Sequence, residues 1–137
     1  MDIKYIMTTD FQCCQATTVL SDVLLMLNNS THDVVVVVNH KNLPIGVISS
    51  QDIEEIYSCS GCEYSEIVAS DVIKNKQIYN CWEGDDIQIA VSMINDRGVS
   101  YLPVVNNKFC LVGVMSACNA LSYFKDSTLS NSEIVAY

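Results

Sequence analysis

The sequence predicts an α/β protein built from two similar units, each with the element order β-α-β-β-α. Two observations lead to this prediction. The chain repeats itself at an offset of 67 residues, and helix-like and strand-like hydrophobic patterns alternate within each copy. Of the 137 residues, 50% are hydrophobic and 17% are charged, which supplies enough apolar material for two small units that share a core.

The repeat shows as identical residues at equivalent places. Gly46 and Gly113 are 67 positions apart, and nine residues between positions 20 and 54 recur at that offset, where unrelated sequence would give roughly two. The recurring residues of the first copy are Met26, Asn28, Val37, Val38, Asn39, Lys41, Gly46, Val47 and Ser49. Towards the N-terminus the offset becomes about 66, so that residues 6–7 align with residues 72–73.

Helical and strand patterns alternate in the same order in both copies. Apolar residues at helical spacing predict helices over residues 19–27, 50–57, 87–94 and 117–124. Short apolar runs predict strands over residues 13–15, 34–39, 45–48, 78–81, 101–106 and 111–115. Asp85 or Asp86 can cap the third helix. Because neither copy can cover its own sheet, the two copies should pack face to face.

The repeat also sets the predicted domain boundaries. The first copy covers residues 1–57, and the second covers residues 67–125. Residues 58–66 then form a linker, and residues 126–137 form a polar tail.

Charge and composition exclude several classes of protein. Seven Lys and Arg against 16 Asp and Glu give a net charge of −9, which repels nucleic acid and anionic membranes. The longest aliphatic run covers residues 34–38, far short of the roughly 20 residues of a membrane helix. No secretory signal is apparent, so we expect a cytoplasmic protein.

The residues of a catalytic site cannot be assembled from this sequence. Its five glycines form neither a dinucleotide-binding turn nor a P-loop. We find no nucleophile with its base, no general acid–base pair and no set of metal ligands. We therefore expect a protein that is not an enzyme and that requires no cofactor or metal.

The seven cysteines are an odd number at irregular spacing, which is typical of free thiols. Cys13, Cys81 and Cys110 lie in apolar stretches, where a thiol behaves as a small buried hydrophobe. Cys59 and Cys62 have the spacing of metal ligands, but a zinc site needs a second pair that the chain lacks. A linker with two exposed thiols is the preferred interpretation.

One pattern that could carry chemistry occurs twice. Residues 46–52 and 113–119 each run from a strand into the first turn of a helix. Ser49 and Asp52 have the spacing of a capping box, which satisfies the free amides of that turn. The same amides, hydroxyl and carboxylate could instead bind a phosphate and a sugar. Taken by themselves, the residues favour capping.

Together these patterns resemble the tandem cystathionine-β-synthase (CBS) domain pair, also called the Bateman module. Residues 5–8 resemble the Asp-Ile-Met-Thr opening of the family, and residues 101–105 its Leu-Pro-Val-Val strand. The two stretches described above resemble its Gly-h-Thr/Ser-x-x-Asp signature, where h is hydrophobic. The likeness covers residues 3–124. It implies two repeats packed with pseudo-twofold symmetry, clefts that bind adenosine-containing ligands, and a regulatory role.

Carried over to this chain, the resemblance implies nine ligand-binding residues. The serines of the two signatures would contact phosphate, and Asp52 and Asn119 would contact the ribose hydroxyls. The strands that begin at Val34 and Tyr101 would hold the adenine. The full set is Thr8, Val34, Ser49, Asp52, Ile73, Tyr101, Pro103, Ser116 and Asn119.

The chain departs from the family pattern at three places. Val36 stands where the second copy has Pro103, Asn119 replaces Asp, and residues 71–74 lack the Thr of the opening. A neutral Asn loses the charge-assisted part of a hydrogen bond. We therefore expect two unequal sites, of which the site at Asp52 is better equipped.

The small number of cations sets the expected ligand. Seven Lys and Arg serve the whole chain, whereas a triphosphate needs several cations around it. AMP, ADP or a cationic adenosyl ligand such as S-adenosylmethionine is therefore favoured over ATP. Lys74, Lys76 and Arg97 are the candidate cations, although surface charge is the ordinary role of such residues.

Two other functions stay open at this point. The first is a ligand-independent scaffold that dimerises or docks on a protein, which the departures at Val36 and Asn119 favour. The resemblance implies homodimers, with the helices over residues 50–57 and 117–124 as candidate contacts. These helices could present Ile56, Tyr57, Leu121, Tyr123 and Phe124. The second is a redox or metal sensor that acts through Cys59, Cys62 and Cys118.

Overall fold

The fold consists of two three-stranded sheets with helices, which confirms the predicted α/β class. The computed structural model describes residues 1–30, 32–60, 63, 66–74 and 76–120, with residues 57, 59 and 60 described without their side chains. The helices are α1 (Leu20–Asn28), α2 (Ser50–Ser60), α3 (Ala69–Ile73) and α4 (Ile87–Arg97). The strands are β1 (Gln12–Gln15), β2 (Val34–Val38), β3 (Pro44–Ser49), β4 (Cys81–Trp82), β5 (Tyr101–Val105) and β6 (Leu111–Ser116). Ile3–Tyr5 form a 3₁₀ turn, and residues 117–120 are helical.

The two sheets have the same topology and register. In each sheet the first strand pairs parallel to the second, and the second pairs antiparallel to the third, in the orders β1-β2-β3 and β4-β5-β6. Val34 lies opposite Ser49, and Tyr101 lies opposite Ser116, at the offset that the sequence repeat predicts. The repeat is therefore confirmed. Across the described residues, no helix has the length and apolar character needed to cross a membrane.

Strand β4 is shorter than predicted, and Pro103 explains the difference. The strand predicted over residues 78–81 is reduced to Cys81–Trp82, which pairs with Val104 and Val105. A longer β4 would bring Asn80 opposite Pro103, which has no N–H to donate to a neighbouring strand. The residues before Cys81 are therefore free to leave the sheet.

Helix boundaries follow the predictions with small differences. The α2 helix continues to Ser60, three residues beyond its predicted end at residue 57. The 3₁₀ turn and α3 were not predicted, since segments of three and five residues are too short to show helical periodicity. Asp86 caps α4 by accepting a hydrogen bond from the Gln88 N–H at 3.0 Å.

The N-terminal segment of each copy packs on the other unit. Ile3 is fully buried in the core that surrounds β5 and β6, and its N–H donates to the Asp85 carbonyl at 2.9 Å. Conversely, α3 packs into the core around β2 and β3, to which it contributes Ala69, Val72 and Ile73. Each unit therefore completes its core with a segment from the other copy.

A third cluster of buried residues joins the two sheets. Its members are Val36, Val38, Leu111 and Val114. The Leu111 N–H donates to the Asn42 carbonyl at 2.9 Å between the units. Asn42 (φ 64°) and its counterpart Phe109 (φ 63°) both adopt left-handed backbone, so the turns repeat as well. Burial between the sheets accounts for an apolar residue at position 36.

Candidate functional site

A cleft of about 600 Å³ lies between the two units and is lined by residues of both. Its volume is typical of small-molecule sites, which span roughly 300–1,000 Å³. Seven of the nine predicted site residues line it, namely Val34, Ser49, Asp52, Ile73, Tyr101, Pro103 and Ser116. The structure thus brings the serines of both signatures to one cleft, whereas Thr8 and Asn119 are not part of its lining.

Ser49 and Asp52 form the predicted capping box at the start of α2. Asp52 Oδ2 accepts hydrogen bonds from the Ser49 N–H at 2.9 Å and from the Ser49 hydroxyl at 3.2 Å. The Asp52 N–H donates to Ser49 Oγ at 3.4 Å. The capping interpretation is therefore correct, and these bonds fix the Asp52 carboxylate at the wall of the cleft.

Lys76 is the only Lys or Arg among the described residues that line the cleft. Its Nζ forms an ion pair with Asp52 Oδ1, the carboxylate oxygen that the capping box leaves free. The backbone N–H of Lys76 donates to the Ile73 carbonyl at 3.0 Å, so the turn after α3 sets its position. Lys74 and Arg97, the other candidate cations, are exposed and lie outside the lining.

Three carboxylates accompany this single ammonium group. Asp33, Asp52 and Glu55 line the cleft together with Lys76, so the described charges of the lining sum to −2, three negative and one positive. Asp33 accepts a hydrogen bond from the Ser50 hydroxyl at 2.8 Å, which holds it against the start of α2. A lining of this charge disfavours a polyphosphate.

Tyr101 and Asp33 meet in the cleft from opposite units. Partial burial, followed by the negative charge of Asp33, raises the pKa of the Tyr101 phenol, while the Asp33 backbone N–H lowers it by a smaller amount. The phenol is therefore protonated at neutral pH and can donate a hydrogen bond. Asp33 was not predicted from the sequence, although the pairing of β2 with β3 contained the signal. Since Val34 of β2 pairs with Ser49 of β3, Asp33, which precedes β2, lies beside Ser50, which follows β3.

Ile73 lies directly against Gly46, and both residues line the cleft. A Cβ on Gly46 would lie 2.6 Å from Ile73 Cγ2, so the absence of a side chain lets α3 approach β3 this closely. The second copy repeats the arrangement, because a Cβ on Gly113 would lie 2.4 Å from Met7 Sδ. The two glycine signatures thus seat the N-terminal segments of the opposite copies.

The second signature forms hydrogen bonds with the N-terminal segment of the chain through both side chain and backbone. The Asn119 side-chain amide donates to the Ile6 carbonyl at 3.4 Å. Thr8 pairs with Val114 through both backbone groups, at 2.9 Å in each direction. Asp52 therefore borders the cleft, whereas its counterpart Asn119 bonds to the N-terminal segment.

The cysteines differ in burial more than their sequence context predicts. Burial raises the pKa of Cys14 to about 11, and burial with the nearby Asp85 charge raises that of Cys81 to about 12. Cys13 and Cys110 are only half-buried, so full burial is confirmed for Cys81 and is wrong for these two. The fifth described free thiol, Cys118, is exposed and borders the cleft.

Iodoacetamide at pH 8 should therefore modify Cys118 long before Cys81. A thiol with a pKa of about 12 is roughly one ten-thousandth thiolate at pH 8, and only the thiolate reacts. Peptide mass spectrometry after timed alkylation follows each cysteine separately, including Cys62 and the side chain of Cys59, which lie outside the described part of the chain. Equal rates at Cys118 and Cys81 would contradict the order of burial.

The two copies match a known protein family. The model of the CBS domain matches residues 2–58 and matches again over residues 68–126. Together with the duplicated sheets, this match shows that the chain belongs to the CBS-domain family and carries a tandem pair of these domains.

Solved structures share this fold over most of the chain. A CBS-domain protein from Pyrobaculum aerophilum, solved with AMP, has a TM-score of 0.77 and 16% identity, and the match covers 87% of this chain and 89% of that one. Staphylococcus aureus OpuCA has a TM-score of 0.70 and 23% identity, covering 90% and 98%. The cytosolic domain of the Mg²⁺ channel MgtE, solved with ATP, has a TM-score of 0.72 and 19% identity, covering 86% and 46%.

A relative is also found by sequence. An uncharacterised protein of Methanopyrus kandleri is 29% identical over 82 residues, and the match spans 60% of this chain but 41% of that relative. The chain therefore corresponds to less than half of the length of this relative.

Proposed function

We propose that this CBS pair is a regulatory module that binds an adenosine nucleotide in the cleft between its units. The observation that carries the proposal is the cleft itself. Ser49, Asp52 and Ser116, which come from the two signatures, line one cavity of about 600 Å³ together with the apolar residues Val34 and Ile73. A few polar groups on an apolar wall suit a ligand with a flat base and a polar sugar.

The fold relatives support the same class of ligand. The Pyrobaculum aerophilum protein was solved with AMP, and the MgtE domain was solved with ATP. In this chain the lining carries three carboxylates and one ammonium group, so AMP or ADP is favoured over ATP.

Regulation, in this proposal, acts through the position of the two units. A ligand held by residues of both units stabilises one relative arrangement, which a protein partner or a second copy of the chain can recognise. A homodimer through the helical faces is part of the proposal. Ile56 on α2 is half-buried against the core of the first unit, while the Tyr57 side chain and residues 121–124 lie outside the described part of the chain.

AMP at millimolar concentration should raise the melting temperature, and Asp52→Ala should reduce that rise. A ligand at a hundredfold excess over its Kd stabilises the folded state by about 2.7 kcal/mol, which is on the order of 10 °C for a chain of this size. A thermal-shift screen with AMP, ADP, ATP, S-adenosylmethionine and NAD, followed by calorimetry, measures the effect.

Glu54→Ala is the matched control, because Glu54 is exposed on the same helix and does not line the cleft. The ligand-induced shift is compared within each variant, since Asp52→Ala also removes a helix-capping interaction of about 1 kcal/mol. An unchanged shift in Asp52→Ala would contradict the site. No shift with any of the five ligands would favour the scaffold function.

A further inference from the structure

We infer that Lys76 makes the cleft selective for a phosphorylated adenosyl ligand. Lys76 forms an ion pair with Asp52, and a phosphate on the ligand replaces Asp52 as the partner of the Lys76 ammonium group. The inference rests on the proposed function and adds the residue that decides the class of ligand. It depends on the ion pair at the cleft wall and on the difference between the two copies.

Lys76 and Asp52 satisfy each other at the wall of the cleft. Lys76 Nζ contacts Asp52 Oδ1, while the N–H and hydroxyl of Ser49 bind Oδ2 at 2.9 and 3.2 Å. Both carboxylate oxygens therefore already have a partner. The Asp52 side chain is 19% exposed and that of Lys76 is 41% exposed, so the carboxylate is less well solvated than the ammonium group. A ribose that binds Asp52 must compete with Lys76.

A ligand that separates this pair must offer each member a new partner. Separating the two charges gives up their mutual attraction, which is modest because the Lys76 side chain is 41% exposed. The ribose hydroxyls of adenosine can serve Asp52, but adenosine has no group for Lys76. AMP serves both, because its phosphate takes the ammonium group while its hydroxyls take the carboxylate. The pair thus weakens binding of the nucleoside more than binding of the nucleotide.

The second copy lacks this pair. Asp10 stands at the position equivalent to Lys76, and Asn119 stands at the position equivalent to Asp52. The Asn119 amide bonds to the Ile6 carbonyl, so the second copy has neither the carboxylate nor the ammonium group of this pair at these positions. An anionic adenosyl ligand is therefore expected at Lys76 alone, with one bound per chain.

Calorimetry on the full chain with AMP and with adenosine tests the assignment. The wild type should bind AMP at least about tenfold more tightly than adenosine, with one site. Lys76→Gln should bind AMP about tenfold more weakly and adenosine equally or more tightly, so that the preference disappears. Lys76→Arg, which keeps the charge, should keep the preference. Lys74→Gln is the matched control, since it removes the same charge at an exposed residue outside the lining.

The outcomes separate this inference from the proposed function. If AMP binds the wild type and Lys76→Gln keeps the preference for AMP over adenosine, the role of Lys76 is overturned and the proposed function stands. If Lys74→Gln reduces the preference as strongly, the effect is one of general charge and the assignment to Lys76 is overturned. If folded wild type binds neither compound at millimolar concentration, the inference fails, whereas the proposed function fails only if none of the five ligands of the thermal-shift screen binds. Thermal unfolding of each variant establishes that it is folded.

Discussion

Ile3→Ala should lower the free energy of unfolding by about 2–5 kcal/mol. Although Ile3 is the third residue of the chain, its side chain is 0% exposed and belongs to the core cluster that contains Leu102 and Met115. The smaller side chain leaves a cavity that the surrounding strands cannot close without moving. Urea unfolding followed by circular dichroism measures the change.

Tyr5→Ala is the control for this experiment. Tyr5 lies in the same 3₁₀ turn and is 69% exposed, so its replacement should change stability by no more than about 0.5 kcal/mol. If the two variants shift the urea midpoint equally, the N-terminal segment is not part of the core around β5 and β6.

Gly46→Ala should destabilise the chain by about 1–3 kcal/mol, more than Gly113→Ala does. A Cβ at position 46 would lie 2.6 Å from Ile73 Cγ2 and 2.9 Å from Ile73 Cβ. Because Cβ is fixed to the backbone, α3 has to move. At position 113 the two nearest atoms are Sδ and Cγ of Met7, and a flexible Met side chain can adopt another rotamer. The remaining backbone neighbour, the Thr8 carbonyl oxygen, is farther away, at 3.0 Å. Chemical unfolding of both variants gives the comparison.

The double variant Gly46→Ala/Ile73→Ala tests the cause of this effect. Alanine at position 73 removes Cγ2 and Cδ1, two of the three atoms nearest to the added Cβ. The double variant should therefore be more stable than the sum of the two single effects predicts. Strictly additive effects would contradict the contact between Gly46 and Ile73.

Strands were predictable because their signal is local. The β-branched runs around β2 and β5 lie between polar turns, and the predicted limits differ from the observed ones by a single residue at one end. The shortening of β4 was not predicted, since it depends on which residue of β5 comes to lie opposite Asn80. The burial of Ile3 was not predicted either, because it depends on a segment from one copy reaching the core of the other.

The candidate site was also predictable only where its signal is local. Ser49 and Asp52 lie within one helical turn, so their spacing predicted a capping box that the structure contains. Lys76 was one of three candidate cations, and its contact with Asp52 joins residues 24 positions apart. Asp33 reaches the start of α2 across 17 positions. Such partners are selected by the packing of α3 and by strand register, which the local pattern does not contain.

The exchange of segments between the two units has a consequence for cooperativity. A chain divided between the copies would leave one half without α3 and the other half without Ile3. Opening either unit exposes core residues of the other, so the free energy of unfolding belongs to the pair and cannot be assigned to its halves. Trp82, the one tryptophan of the chain, lies in β4 and is 48% exposed. Its fluorescence would therefore change when loss of structure begins in the opposite unit.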